Sequence, residues 1–350
     1  MRKRGVFLYK LLVFLPAVAF LCLYSSWRAV VVGCFNPARA INFIKNQDKS
    51  IPQQAYPVVE NPFRDVNIAD FFKNEEAVSS SRQAVSPHYN VIKEQFTSVE
   101  SDVVLKKENC YVKNMTHLPR QEVKDIMLAP LSFSVEKNSP QPQILVMHTH
   151  ATESYMPGAE EAYDEAYAFR STDSTRNMTA VGRVMADTLN SLGYNTLQDV
   201  TLHDYPSYNG SYDNSKATVE KYLRQYPSIK IVLDVHRDAV ERDGAIISPT
   251  ATISGTEYAQ IMIISGRDNG YMNMPNYREN LKFATLVQNY AATLYPGIAR
   301  PVLFDYRNYN QQLTTGSILV EIGTHGSSLT RAKNSRAAFA RSLAAALDNM

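Results

Sequence analysis

The chain has 350 residues, 45% of them hydrophobic and 20% charged, which is enough for one large domain, or one domain plus a tethered segment. The 36 basic and 34 acidic residues leave a formal charge of +2, and residues 1–33 hold five basic residues and no acidic ones. The remainder is slightly acidic, which excludes a phosphate-binding surface of the kind that nucleic-acid-binding proteins carry.

An apolar stretch at Val6–Tyr24 follows the basic run Arg2–Arg4. Extended to Trp27, it is long enough to cross a hydrocarbon core of about 30 Å. We therefore predict a single-pass protein of the cell membrane. It has a cytoplasmic tail over 1–5, a transmembrane anchor over 6–27 and an extracytoplasmic C-terminal body. A cleaved signal peptide is the alternative, but no small-x-small cleavage site follows the apolar stretch directly.

Residues 28–101 contain five prolines and a run of three serines, which predicts an extended stalk. Within this stalk, 67–72 and 91–96 are candidates for short helical turns. Residues 102–141 have a candidate strand at 103–105 and a candidate helix at 121–128, and we assign them no role. With Cys22 in the membrane span, Cys34 and Cys110 are the one possible pair, so there is no disulfide framework.

From residue 142 onward, apolar strands alternate with amphipathic helices, which predicts βαβ units. The predicted fold class is α/β, a mostly parallel twisted sheet with flanking helices, preceded by the transmembrane helix and the stalk. The predicted strands are Ile144–Met147, Ile229–Val235, Ala259–Ser265, Val302–Phe304 and Ser317–Ile322. The predicted helices are Thr179–Leu192, Tyr212–Tyr226, Tyr277–Tyr295 and Thr330–Leu347.

Three of these strands run into polar residues at their C-terminal ends, where open α/β sheets place ligands and catalytic groups. These residues are His148, His150 and Glu153 after the first strand, His236 with Arg237 and Asp238 after the second, and Glu321 in the last. A carboxylate within an apolar strand, as in SILVEIG, is costly unless a cation, a metal or a raised pKa compensates. His88, His117 and His203 lack such surroundings, so we expect them at the surface.

Histidines and glutamates at one sheet edge are the donor types of a mononuclear zinc hydrolase. Zinc lowers the pKa of a bound water molecule toward ~7, and a nearby carboxylate can pass the water's proton to the leaving amine. Each histidine also has a structural interpretation, because buried histidines are often simply hydrogen-bonded core residues. Together the strand ends favour the zinc hydrolase.

The segments HTHATESY, DVHRDA, NMPNYRENLKFA and YNQQLTTGSILVEIG resemble, in this order and spacing, the stage II sporulation protein P (SpoIIP) family. The resemblance covers the chain from about residue 143 onward and implies an amidase-like catalytic domain over 142–350. This family is related to zinc-dependent N-acetylmuramoyl-L-alanine amidases and has reported peptidoglycan endopeptidase activity as well. The resemblance implies septal peptidoglycan degradation and engulfment during sporulation, with a SpoIID-like lytic transglycosylase and a SpoIIM-like membrane protein as partners.

The resemblance also implies roles for particular residues. Aligned strand ends place the two histidines and the late glutamate of the wider amidases on His150, His236 and Glu321, with Glu321 as the catalytic base. Glu153 is the candidate third zinc ligand, with Glu160, Glu161 and Glu165 as alternatives. His148 either replaces His150 as ligand or supports it. The expected substrate contacts are Tyr155, Asn280, Asn310 and Gln311, joined by Arg237 and Asp238 unless these two form a structural ion pair.

Two other functions compete with the amidase. One is a non-catalytic peptidoglycan-binding scaffold with a decayed metal site, which the retained histidines and Glu321 disfavour. The other is a zinc polysaccharide deacetylase, whose sites use an aspartate beside the metal and lack a late strand ending in glutamate.

Overall fold

The structure is a computed structural model that describes residues 89–158, 162–163 and 169–350. The described helices are α1 (Arg120–Ile126), α2 (Met178–Ser191), α3 (Ser211–Gln225), α4 (Tyr277–Leu294) and α5 (Leu329–Leu347), with a 3₁₀ turn at Gln311–Leu313. The described strands are β1 (Tyr89–Glu94), β2 (Val104–Lys107), β3 (Cys110–Asn114), β4 (Ile144–Met147), β5 (Ala162–Tyr163), β6 (Thr196–Gln198), β7 (Ile231–Asp238), β8 (Glu241–Arg242), β9 (Ala245–Ile253), β10 (Thr256–Ala259), β11 (Ile261–Gly266), β12 (Val302–Asp305) and β13 (Gly316–Thr324).

The predicted membrane anchor and the stalk up to residue 88 lie outside the described residues, as does the candidate turn at 67–72. Within the described ranges, no helix combines the length and the apolar character needed to cross a bilayer.

An eight-stranded sheet forms the centre of the fold, in the order β2-β3-β12-β11-β13-β7-β4-β6. Five of its seven neighbouring pairs are parallel. The β2–β3 and β11–β13 pairs are antiparallel. The predicted α/β class with a mostly parallel sheet is thus confirmed for the described residues.

Helices cover both faces of this sheet. On one face, apolar residues of α2, α4 and α5 pack against alternate residues of β4, β7 and β13 in the largest apolar cluster. On the other face, Val219 and Tyr222 of α3 pack against Leu145 and Met147 of β4. Because both faces are buried, the central strands are continuously apolar, which is why they could be predicted from the sequence.

A second sheet, absent from the sequence prediction, has the order β10-β9-β1-β5, with β8 paired to β9. Residues 91–96 were predicted as a helical turn in the stalk, but 89–94 form β1, which lies parallel to β9. The 102–141 segment supplies β2, β3 and α1, and β3 extends the central sheet beside β12. The packed body therefore includes residues well before 142.

Cys110 lies in β3 as a buried free thiol, and burial raises the pKa of this thiol far above its usual range. The one cysteine with which it could pair, Cys34, lies outside the described residues.

Candidate active site

Three neighbouring parallel strands bring the predicted catalytic residues to one edge of the sheet. β7 lies between β4 and β13 and runs parallel to both, so their C-terminal ends coincide. His236 and Glu321 are register partners across β7 and β13. The loop at 148–153 leaves β4 at the same edge.

Asp234, His236 and Glu321 share the face of the sheet that α3 covers. Side chains alternate along a strand, and register partners on parallel strands point to the same face. Met147 packs in the apolar cluster beneath α3, and its register partner is Asp234. His236 follows Asp234 by two residues, so the three polar residues continue the face on which α3 packs.

His236 is held between two carboxylates. Its Nε2 lies 2.7 Å from Asp234 Oδ1, and its Nδ1 lies 3.7 Å from Glu153 Oε2. Burial disfavours the charged imidazolium, but Asp234 and then the two glutamates outweigh burial and raise the pKa of His236 to about 9. The Asp234 carboxylate is in turn fixed by Thr149, whose backbone N–H donates to Oδ1 and whose hydroxyl donates to Oδ2.

His150 meets His236 edge-on, with ring centroids 5.4 Å apart and the planes perpendicular. Its other face stacks on Tyr208 at 4.5 Å, and the ring of Tyr212 lies 5.5 Å away. The Nδ1 atom of His150 is buried and has no hydrogen-bond partner, although Asp204 Oδ2 lies 3.9 Å away. Burial, followed by the charge of His236, lowers the pKa of His150, so its ring is neutral near pH 7 and keeps a free lone pair.

Glu153 is buried where the loop and β7 meet. Its Oε2 accepts a hydrogen bond from the backbone N–H of Arg237 at 3.2 Å. Its Oε1 lies 3.7 Å from Arg170 Nη2 and 3.8 Å from Arg237 Nη1. The two arginines therefore compensate the charge of this carboxylate. The alternative ligands Glu160, Glu161 and Glu165 lie outside the described residues.

Glu321 is the acid of this cluster for which the described residues supply no ion pair within 4.0 Å. Its Oε2 atom is buried and has no hydrogen-bond partner among those residues. Burial raises the pKa of Glu321 to about 8; His236 opposes the rise, and Asp238 and Glu153 add to it. A carboxyl group with such a pKa can exchange a proton near neutral pH, as a general base requires.

His148 lies apart from these residues, on the opposite face of the sheet. Its Nδ1 contacts the backbone oxygen of Val235 at 2.9 Å, and its Nε2 lies 3.4 Å from Gln198 Nε2. A Cβ atom on Gly182 of α2 would approach Nε2 to 2.3 Å, so this ring packs directly against the helix backbone. Burial lowers the pKa of His148 to about 4. These contacts make His148 a core residue rather than the alternative ligand considered from the sequence.

Three of the expected substrate contacts are buried and bonded to the backbone. The Tyr155 hydroxyl donates to the Ile322 carbonyl, and Asn280 Nδ2 donates to the Thr314 carbonyl. Gln311 accepts from the Gly266 N–H and donates to the Ile264 carbonyl. These side chains hold strands and loops in place and offer no surface to a substrate.

The other three expected contacts differ among themselves. Arg237 reaches back to the carbonyls of Ser154 and Phe169, so it ties these two residues to β7. Asp238 forms an ion pair with Arg300 at 2.8 Å rather than with Arg237, the partner considered from the sequence. Asn310 lines a cavity beside α3, and the other five expected contacts do not.

Several residues at this site were missed in the sequence. Asp234 could have been found, because it precedes His236 by two residues in a strand and so shares its face. Asp204 binds Thr152 and Arg170, and no pattern in the sequence indicated that it lies at this site. His203 was expected at the surface but is buried, with Nδ1 2.8 Å from the His148 carbonyl oxygen.

Within the described residues, no three histidine, cysteine or acidic side chains are already arranged as a metal-binding group. His150, His236 and Glu153 nevertheless adjoin one another, and they are nitrogen and oxygen donors of the type that zinc binds.

Comparison with known proteins gives a family match. The sequence profile described as "Stage II sporulation protein P (SpoIIP)" matches residues 46–344. Stage II sporulation protein P of Bacillus subtilis (strain 168) is 30% identical over 191 residues, which are 51% of this chain. The match spans 45% of that relative's length, so the chain spans about half of the curated relative.

Solved structures of amidases resemble the chain at low identity. The N-acetylmuramoyl-L-alanine amidase AmiC2 of Nostoc punctiforme is 14% identical, with a TM-score of 0.36, and the match covers 59% of this chain and 96% of AmiC2. The CwlD amidase from Clostridioides difficile, solved with the GerS lipoprotein, is 10% identical with a TM-score of 0.37 over 59% of this chain and 97% of CwlD.

Proposed function

The chain belongs to the stage II sporulation protein P family, and from this premise we propose that it is a zinc-dependent peptidoglycan hydrolase of sporulating cells. The reaction is N-acetylmuramoyl-L-alanine amidase cleavage of the bond between the glycan lactyl group and L-alanine, with endopeptidase cleavage as a second activity. The observation that carries this proposal is the meeting of His150, His236, Glu153 and Glu321 at one sheet edge, with buried polar atoms of His150 and Glu321 left unpartnered.

The donor set fits zinc. His150 offers a neutral ring with an unpartnered nitrogen, and His236 presents Nδ1 toward Glu153 while Asp234 lies at Nε2. A carboxylate behind a ligating imidazole fixes the orientation of the ring and increases its basicity. His150, His236 and Glu153 would therefore hold the metal. Zinc supplies Lewis acidity, which polarises the scissile carbonyl and favours deprotonation of a water molecule.

The chain's own residues supply the proton transfers and the positioning. Glu321 accepts the proton of the attacking water on its carboxylate and delivers it to the L-alanine nitrogen as the C–N bond breaks. The pKa of about 8 in the metal-free site falls when a cation binds nearby, so Glu321 becomes ionised and can act as a base. Arg237 and Arg170 hold Glu153, and Thr149 holds Asp234, so both carboxylates keep their orientation.

The hydrolysis test uses the full chain in detergent micelles with defined muropeptides, with chelator and after zinc is restored. We expect intact glycan and free stem peptide by mass spectrometry, lost with chelator and regained with zinc. Shortened peptides on intact glycan would establish the endopeptidase activity. Binding without any product would instead favour the non-catalytic scaffold and refute the hydrolase.

We also propose that residues 6–27 anchor the protein in the cell membrane with the body outside, and that it acts in septal peptidoglycan degradation and engulfment. A SpoIID-like transglycosylase and a SpoIIM-like membrane protein are the partners that family membership supports. A reporter fused after Met350 and active only when exported tests the topology, together with protease added outside the cell. A body protected from that protease in the intact cell would contradict the anchor and its orientation.

A further inference from the structure

A cavity of about 390 Å³ opens beside the candidate active site. One wall is the charged face of α3, with Tyr212, Asp213, Lys216 and Glu220. The opposite wall consists of two loops, 272–273 after β11 and 308–313 before β13. The volume is within the range of about 300–1,000 Å³ that is usual for small-ligand sites.

This cavity adjoins the candidate catalytic cluster through Tyr212. Tyr212 lines the cavity, and its ring lies 5.5 Å from that of His150. Asn310 Nδ2 donates to the Tyr212 carbonyl at 2.8 Å and to Ser215 Oγ at 3.1 Å. Ser215 Oγ in turn lies 2.8 Å from the hydroxyl of Thr149, in the loop that carries His150. The cavity and His150 therefore lie on two sides of the same tyrosine, Tyr212.

The charged wall has no partners of its own. Asp213, Lys216 and Glu220 lie at i, i+3 and i+7, which places them on one face of α3. Among the described residues, none of the three forms an ion pair within 4.0 Å. A cation flanked by two carboxylates is suited to a ligand that itself carries both a carboxylate and an ammonium group.

The facing wall offers amide groups. Asn273, Asn308, Asn310 and Gln312 line it, and Oε1 of Gln312 is buried without a hydrogen-bond partner in the described structure. Tyr309, Asn310 and Asn273 have positive φ angles of 46°, 57° and 51°. Such backbone conformations are costly for residues other than glycine, and they concentrate at ligand-binding loops. Amide side chains at these positions can pair with the backbone of a peptide.

We infer that this cavity receives the stem peptide of the substrate, and that Lys216, with Asp213 and Glu220, recognises the charged groups of that peptide. The inference rests on the proposed function. The substrate has two arms on either side of the scissile bond, and the glycan arm offers hydroxyl and acetamide groups without charge. The peptide arm offers amides, carboxylates and, at its diamino acid, an ammonium group, which is the complement of both walls.

The test measures binding of the free tetrapeptide L-alanyl-γ-D-glutamyl-diaminopimelyl-D-alanine to the full chain by calorimetry. Lys216→Gln removes the cation and should weaken binding about 2–5-fold, as loss of an exposed charge pair does. Lys221→Gln is the matched control, because Lys221 lies on the same helix and does not line the cavity. This control should bind as the wild type does.

A comparison of two tetrapeptides tests whether Asp213 and Glu220 recognise the ammonium group of the diamino acid. A tetrapeptide with a neutral residue in place of the diamino acid should bind wild-type protein more weakly than the natural peptide does. The Asp213→Asn, Glu220→Gln double variant should not distinguish the two peptides. Equal binding of both peptides by wild-type protein would overturn recognition of the ammonium group by the cavity.

The outcomes separate the subsite from the catalytic function. Loss of peptide binding in Lys216→Gln, in a protein that cleaves no muropeptide, supports the subsite and refutes the hydrolase. Muropeptide cleavage with the same KM in Lys216→Gln and wild type supports the hydrolase and overturns the subsite. Competition by peptide-free glycan strands as strong as that by the tetrapeptide would also overturn it, since the cavity would then accept the other arm.

Discussion

Two buried clusters that contain histidine adjoin the loop at 148–153. The first is built around His203, and the second comprises His150, His236 and Glu321. They differ in how many of their polar atoms have hydrogen-bond partners. Both ring nitrogens of His203 have partners, the His148 carbonyl oxygen at 2.8 Å and the Thr218 hydroxyl at 3.0 Å. At the other cluster, Nδ1 of His150 and Oε2 of Glu321 have none among the described residues. Native proteins rarely leave buried polar atoms unpaired, so the second cluster is the better candidate for a ligand site.

The comparison also separates the two histidines of the HTH segment. His148 continues the alternation of β4 onto the face under α2 and is held by Val235 and Gln198. His150 lies after the strand has ended, where the loop turns its ring toward His236. Two residues of the same type, two positions apart, therefore have different surroundings: His148 is packed in the core, and His150 lies in the proposed active site.

The largest effect on zinc content and activity is expected for loss of His150 or His236. His150→Ala or His236→Ala removes one of three proposed zinc ligands, so bound zinc should fall well below one per chain and activity should be lost. The fold should persist, because a catalytic metal site contributes less to folding than a closed four-ligand site. Elemental analysis and circular dichroism measure the two quantities. His148→Ala is the control: it should retain zinc, and stoichiometric zinc in both other variants would reject the ligand assignment.

Glu321→Gln should have the next largest effect, on turnover alone. The amide keeps the size of the side chain but cannot accept a proton, and general acid–base catalysis typically contributes ~10²–10⁴-fold. We expect kcat to fall by that factor while zinc content and substrate binding stay at wild-type levels. Wild-type turnover by a folded, zinc-loaded variant would exclude Glu321 as the base. Loss of zinc would instead make Glu321 a ligand and Glu153 the better candidate for the base.

The raised pKa of Glu321 predicts how the stability of the metal-free protein depends on pH. Its pKa is about 8 in the folded state against 4.5 without the fold, so folding favours the protonated form. The stabilisation is fully present below pH 4.5 and is lost as the pH rises through 8. Each unit of difference in pKa corresponds to about 1.4 kcal/mol in the free energy of unfolding.

Denaturant unfolding of chelated wild-type and Glu321→Gln proteins at pH 5 and pH 8 measures this dependence. The wild type should lose more stability than the variant over that interval. Equal losses would show that Glu321 is ionised at pH 5 in the folded protein and would contradict its burial as the cause of the raised pKa.

The parts of the fold and site that could be predicted are those whose sequence pattern lies within one short segment of the chain. The strands β4, β7 and β13 are short apolar runs buried on both faces, and the polar residues that end them were found for the same reason. The β1–β9 pair was missed, because Pro249 interrupts the pattern of β9 and β1 is recognisable as a strand only through its distant partner. Burial of Tyr155 and His203 likewise depends on contacts between segments far apart in the chain.

Asp234→Asn is expected to have a smaller effect. Asp234 lies 2.7 Å from His236 and is held by Thr149, so its proposed role is to orient His236 rather than to bind the metal itself. Loss of such a carboxylate typically lowers metal affinity about 10–100-fold. Zinc competition with a fluorescent chelator measures this change. Asp199→Asn, beside His203, is the matched control, and a similar loss of zinc affinity there would remove the distinction between the two clusters.

The smallest effect is expected for substitution of His203, whose two ring nitrogens both have hydrogen-bond partners. His203→Gln can keep one of the two hydrogen bonds of the ring and loses the other, and a net loss of about 1 kcal/mol per hydrogen bond follows. We expect that reduction in the free energy of unfolding, with zinc content and KM unchanged, because His203 contacts the His148 carbonyl rather than His150. Chemical denaturation and zinc analysis of the same preparation measure both quantities. A variant that unfolds like the wild type but loses zinc would reverse the comparison and make the His203 cluster part of the active site.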